Sequence, residues 1–179
     1  MNINQLLFLK YFQKKQRKQS NNFINFDKVK KILLLGDMKC FENRELNEIV
    51  SRYEAVGKQV KTLIYTDRAY FPKEISQKVW NKNLFSKREV NLFGRPKAKI
   101  LNDIAVQDFD LLVDLSVVPS LPAMYVIAAV NATCKIGLKE LDVPLYNLII
   151  DVNSSKNSGN DLKLITVFEK IDYYLKKIN

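Results

Sequence analysis

Apolar residues in this chain gather into short runs separated by stretches that repeat at helical spacing. "KILLLGD" (residues 31–37) is a compact apolar run closing on glycine and aspartate, the pattern of a strand buried on both faces. Leu46, Ile49, Val50 and Tyr53 follow at i, i+3, i+4 and i+7, one stripe of a helix that Gly57 is positioned to end. "VKTLIYTD" (60–67) predicts a second strand. Residues 70–87 lack a clear period and fit a short helix led by Pro72, then an aromatic-rich loop or edge. "EVNLFG" (89–94) predicts a third strand, Gly94-Arg95-Pro96 a turn, and residues 97–106 a short helix. "FDLLVDLS" (109–116) is the strongest strand pattern. A helix over about 120–131 follows, then short strands at 134–138 and 146–152, a polar loop at 153–160, and a last helix over about 161–178. That helix gathers Leu164, Val167, Phe168, Ile171 and Leu175 on one face.

Apolar strands alternating with amphipathic helices predict an α/β fold: a Rossmann-like, three-layer arrangement with a mainly parallel sheet and helices on both faces. The length of 179 residues fits one domain. The first 19 residues favour helix by propensity. Their apolar members (Ile3, Leu6, Leu7, Phe8, Leu9, Tyr11 and Phe12) are too crowded to form one clean stripe, and Ser20, Asn21 and Asn22 then interrupt the pattern like a hinge. The expected organisation is a basic helical extension and linker over 1–26 and a single α/β domain over 27–179.

Composition sharpens the picture. The chain is 47% hydrophobic, which suits a globular core, yet no stretch approaches the roughly 20 apolar residues that span a bilayer. The longest candidate, 117–132, is broken by Pro119, Ser120, Pro122 and Asn131 and reads as a core helix. The apolar cluster at 6–9 precedes the basic run, the reverse of a secretory signal, so a soluble cytoplasmic protein is expected. Cys40 and Cys134 are too few and too far apart for a disulfide framework, and read as buried thiols in a reducing compartment. There is no histidine. That removes the commonest general base, the Ser-His-Asp and Cys-His nucleophile systems and the usual metal ligand, leaving carboxylates, lysine and tyrosine for any chemistry. No catalytic residue, metal site or cofactor is therefore expected.

The formal charge of +10 is unevenly spread. Residues 1–31 hold 8 Lys/Arg against Asp27 alone, and residues 58–99 hold 11 against Asp67, Glu74 and Glu89. Residues 100–155 hold only Lys135 and Lys139 against 7 acids. Such asymmetry creates a positive field on one part of the surface, which draws nucleic acid, anionic lipid or acidic protein.

Two sets of residues are candidates for a site. In open α/β sheets ligands bind beyond the carboxyl ends of the strands, and those ends carry Gly36, Asp37, Asp67, Asp114, Ser116 and Asp151. They read either as a polar pocket for a small molecule or as ordinary loop and cap residues. The loop Gly36-Asp37-Met38-Lys39-Cys40 has a single glycine, so neither dinucleotide nor P-loop phosphate fingerprint can be written there. The second set is basic: Lys10, Lys14, Lys15, Arg17 and Lys18, interleaved with Tyr11 and Phe12, a mixture suited to contacting phosphates and stacking on bases. Lys78, Trp80, Lys82, Phe85, Lys87 and Arg88 repeat it, although Trp80 and Phe85 fit better as rings turned into the core. An interfacial anchor on anionic membrane is a third reading, against which the poor apolar stripe counts.

"FDLLVDLS", the helix after it and "NATCKIGL" resemble the N-terminal half of heptosyltransferase-type glycosyltransferases over about residues 30–138. Gly36-Asp37 is similar to that family's Gly-Asp pair, which would imply a catalytic base at Asp37. Here the pair sits directly on the strand, and the family's second, nucleotide-binding domain has no counterpart in these 179 residues. The whole chain, with its basic N-terminal helix, more closely resembles a Bacteroidota family of unknown function, which implies a cytoplasmic setting and names no activity. The expectation is a non-catalytic binding protein that docks on an anionic macromolecule, RNA or a ribonucleoprotein foremost. The alternatives are a sugar- or nucleotide-binding domain related to glycosyltransferases, and peripheral attachment to an anionic membrane surface.

Overall fold

The computed structural model describes residues 2–16, 22–37, 44–70, 82–116, 118, 120–151 and 164–177. Within them the helices are α1 (Ile3–Gln16), α2 (Arg44–Ala55), α3 (Ala98–Ala105), α4 (Leu121–Ala129) and α5 (Leu164–Lys176). The strands are β1 (Lys31–Asp37), β2 (Gln59–Thr66), β3 (Lys82–Ser86), β4 (Asp108–Asp114), β5 (Asn131–Gly137) and β6 (Leu148–Ile149). They form one sheet in the order β3-β2-β1-β4-β5-β6, with every neighbouring pair parallel. The order reverses between β1 and β4, the point where such sheets open a crevice beyond their carboxyl ends.

Alternation along the central strands sorts side chains into two apolar layers. Ile32 and Leu34 of β1 join Leu111, Val113 and Ile136 beneath α2 and α5. Leu33 and Leu35 join Leu63, Phe85 and Leu112 beneath α1, α3 and α4. This is the three-layer, Rossmann-like α/β arrangement. Asp110 on β4 fixes the start of β1, its Oδ2 accepting the N–H groups of Lys30 (2.7 Å) and Lys31 (2.8 Å). Gly57, at φ +80°, ends α2, and the next N–H, of Lys58, bonds back to the Tyr53 carbonyl at 3.0 Å.

The first helix belongs to one of these layers. Phe8 and Phe12 are buried, with Phe8 edge-on to Tyr125 of α4 at 5.1 Å and stacked on Phe12 at 6.2 Å. The crowded apolar pattern of α1 thus resolves into two stripes, one facing the domain and one, through Ile3, Leu6 and Leu7, facing outward. Of the expected hinge at Ser20, Asn21 and Asn22, the first two lie outside the described residues.

The third strand corrects the sequence reading. It lies at Lys82–Ser86, and residues 89–94 form a turn instead. Glu89 is the cause: its Oε2 accepts the N–H (2.8 Å) and hydroxyl (2.6 Å) of Ser86, while the Ser86 hydroxyl accepts the Arg88 N–H. That reciprocal cap closes the strand in a 3-10 turn over Lys87–Glu89. Asn91 continues the turn, its Oδ1 accepting the N–H groups of Phe93 (3.0 Å) and Arg95 (2.9 Å). Local side-chain bonds of this kind compete with a sheet ladder and here prevail. The two late strands are also shifted: β5 starts at Asn131, and among the described residues of the expected 146–152 strand, 146–151, β6 takes Leu148 and Ile149.

Candidate functional site

The end of β4 carries a buried polar cluster. Asp114, 3% exposed, accepts the Tyr146 hydroxyl at 2.6 Å through Oδ2 and the Ser116 N–H at 3.0 Å through Oδ1. Burial pushes the Asp114 carboxyl up, the bonds from Tyr146 and Ser116 pull it down, and the nearby Asp37 carboxylate adds to the upward push. Burial first and the Asp114 charge second push the Tyr146 hydroxyl up as well, so this tyrosine holds its proton and acts as a donor. Gly137 makes the arrangement possible: a Cβ there would sit 2.5 Å from Cε2 of the Tyr146 ring.

The topology brings Asp37, Asp114 and Ser116 together, because Leu35 of β1 pairs with Asp114 of β4 and the Leu115 N–H bonds to the Leu35 carbonyl at 2.8 Å. Gly36 is buried within β1 opposite Ile64, and Asp37 is half-buried at its end. Asp67 and Asp151 are exposed, on the bend after β2 and beyond β6. With neighbouring strands about 4.8 Å apart, β5 separates Asp151 from the Asp114 cluster by roughly 10 Å. The cluster is acidic and internally bonded, so its electrostatics oppose a phosphate ligand.

A second buried titratable group, Lys135, lies on β5. The Lys135 ammonium donates to the Ile127 carbonyl in the last turn of α4 at 2.7 Å, where the helix dipole favours a cation. Burial lowers this lysine to about 7. On the other face of the strand Cys134 is buried, and burial lifts its thiol to about 11. Cys40 lies outside the described residues.

The basic candidates fall elsewhere on the molecule. Lys10 and Lys14 are exposed on α1, and Lys15 reaches back so that its Nζ lies 5.9 Å from the centre of the Tyr11 ring. The Arg95 guanidinium, from the turn before α3, lies 5.0 Å from the same ring. Along that connection Arg88 stacks on Tyr70 at 3.6 Å, with Tyr70, Leu92 and Phe93 all exposed. Gly94, at φ +79°, lets this turn press on α4, since a Cβ there would meet Cδ2 of Leu121 at 2.6 Å. Phe85 is buried in the core, as its ring was expected to be. Arg17, Lys18, Lys78 and Trp80 lie outside the described residues.

A family model matches residues 4–178, spanning α1 as well as the sheet and its helices. The chain belongs to that family, a family of unknown function (DUF6913). No curated protein and no solved structure matches the chain.

Three participants escaped the sequence reading: Tyr146, Arg95 and Tyr70. Tyr146 meets Asp114 across 32 residues, and no local spacing encodes that contact. Arg95 was legible only as a turn residue. Its neighbours in the pattern, Asn91 and Gly94, are the signal that the turn is rigid enough to aim it.

Proposed function

We propose that this protein is a non-catalytic binding protein that docks on RNA or a ribonucleoprotein, in a cytoplasmic setting, through the surface built from α1 and the connection between β3 and α3. The observation that carries this reading is the sharing of the Tyr11 ring by Lys15 and Arg95. Two basic stretches far apart in sequence thereby form one continuous surface. Tyr11 is half-buried against Tyr125, so its two cations would meet phosphates, while single-stranded bases stack on exposed rings nearby. Tyr70 under Arg88, with exposed Phe93, extends the same chemistry. The strand-end crevice supports this partner less well, since Asp37 and Asp114 would repel phosphate.

Fluorescence anisotropy with a labelled single-stranded RNA tests the proposal. Saturable binding by the full chain is expected, with loss of affinity in Arg95→Gln and Lys15→Gln. Binding that ignores both changes would sink it. Protein freshly purified from cells should also carry nuclease-sensitive ultraviolet absorbance.

A second reading rests on the meeting of Asp37, Asp114 and Ser116 at the switch between β1 and β4. It takes the crevice as the site of a small uncharged polyol such as a sugar, in line with the resemblance to glycosyltransferases. Saturation-transfer NMR with neutral monosaccharides tests it, and signal that persists unchanged in Asp37→Asn would remove it.

A further inference from the structure

The connection between β3 and α3 is a short hairpin with an apolar tip. The Asn91 N–H bonds to the Arg95 carbonyl at 2.9 Å, Val90 pairs with Pro96, and the Lys97 N–H bonds to the Glu89 carbonyl at 2.7 Å. Pro96 is buried and Val90 packs on the apolar layer beneath α3 and α4, which anchors the base. At the tip stand Leu92, 95% exposed, and Phe93, 44% exposed. Turns ordinarily place Gly, Pro, Asn, Asp or Ser at such positions. Two adjacent large apolar side chains on a turn held this firmly call for an apolar partner.

Three features select a lipid bilayer. The first is the backbone. The N–H groups of Phe93 and Arg95 both bond to Asn91 Oδ1, and that of Gly94 to the Asn91 carbonyl. These donors can leave water without losing a partner, as hydrocarbon demands. The second is charge. No acid occurs from residue 90 to residue 102, and the Glu89 carboxylate is turned onto Ser86. Lys87, Arg88, Arg95 and Lys97 are all exposed, and chain length alone keeps each within about 18 Å of Leu92. Arg88 over Tyr70 and Arg95 over Tyr11 hold two of these charges back from the tip, at the hairpin base. An apolar tip with cations behind it matches hydrocarbon lying beneath anionic headgroups. The third is Leu92 itself. An aliphatic side chain offers no face on which a base can stack, so RNA would leave it in water, whereas acyl chains would bury it.

We propose that this hairpin docks the protein on an anionic membrane surface, Leu92 and Phe93 entering the acyl boundary while Lys87, Arg88, Arg95 and Lys97 meet the headgroups. Helix α1 is not the anchor, because its Phe8 and Phe12 are buried in the core. The proposal goes beyond the RNA reading and shares Arg88 and Arg95 with it. The two partners therefore exclude each other on one molecule.

Co-sedimentation of the full chain with vesicles of phosphatidylcholine and phosphatidylserine, and with phosphatidylcholine alone, tests the proposal. The expected result is binding that requires phosphatidylserine and weakens with salt. Leu92→Ser should lower vesicle affinity on the order of tenfold while melting temperature and RNA affinity stay unchanged, and Leu92→Phe should preserve it. Lys87→Gln and Lys97→Gln should each weaken vesicle binding about fivefold. A wild-type chain that ignores both kinds of vesicle overturns the proposal, whether or not it binds RNA. So does vesicle binding indifferent to Leu92→Ser, or a Leu92→Ser chain that loses RNA affinity and keeps its vesicles. A dimer in sedimentation velocity that Leu92→Ser abolishes, with no vesicle binding, would assign the tip to a second copy instead. Vesicle binding with the expected variant pattern in a chain that fails to bind RNA supports this proposal and overturns only the RNA reading.

Discussion

Replacing Phe8 with alanine asks whether the first helix is part of the fold or an appendage to it. Phe8 is 2% exposed and touches both Phe12 and Tyr125. Burying a phenylalanine is worth roughly 1.5–3 kcal/mol, and the cavity left by truncation raises the usual cost of Phe→Ala to about 3–5 kcal/mol. The loss has a ceiling, because α1 can undock once its anchor is gone. An undocked helix of 14 residues is marginal in water, so undocking would appear as lost helical signal before the main transition. Urea denaturation followed by far-UV circular dichroism separates these outcomes. Leu7→Ala, on the outward stripe, is the control and should stay within about 0.5 kcal/mol of wild type. If Phe8→Ala costs under about 1 kcal/mol and matches that control, with no early loss of helix, α1 contributes nothing to the core and the reasoning fails. The result also bears on the expected division at residue 26: a large cost means that a chain lacking residues 1–26 exposes Tyr125 and is destabilised accordingly.

Other expectations follow from the same packing. Gly94→Ala places a side chain at φ +79° and against Leu121, so it should cost at least about 1–2 kcal/mol, measured by thermal unfolding. Tyr146→Phe leaves a buried oxygen of Asp114 without its donor and should cost about 1–3 kcal/mol. Lys135 gives a pH signature. Its folded value of about 7 lies below the ordinary lysine value of about 10.4, so between the two the unfolded chain binds a proton that the folded chain does not. Stability should therefore rise with pH across that window, by at most roughly 5 kcal/mol. Lys135→Met should flatten the rise, and a wild-type melting temperature independent of pH from 7 to 10 would refute the assignment.

The order of elements was legible because hydrophobic period is a local property. The runs at 31–37 and 109–116 and the stripe from Leu46 to Tyr53 led directly to β1, β4 and α2. The strand at 82–86 was obscured by its charged and polar flanks, and residues 89–94 imitated a strand until the Ser86–Glu89 cap and the Asn91 turn took their backbone bonds. Helix α1 was legible as a helix but not as a core element, because two apolar stripes on one helix look like no stripe at all. The acids at the strand ends were identified by type. Which of them meet depends on strand order: β1 beside β4 joins Asp37 to Asp114, and β5 stands between that pair and Asp151 beyond β6. The Tyr146 contact and the approach of Arg95 to Tyr11 are tertiary facts with no local signature.

The salt dependence of RNA affinity tests the central claim most directly. Each phosphate neutralised on a single strand contributes about −0.7 to the slope of log affinity against log salt. Lys14, Lys15, Arg88 and Arg95 together therefore account for a slope of roughly −3. Changing all four to glutamine keeps the side-chain length close while removing charge, and the melting temperature should hold. The account predicts weak binding by that variant, with the slope reduced in magnitude by about 3 relative to wild type. An unchanged slope and affinity would contradict it, because the charge on this surface would then meet no phosphate.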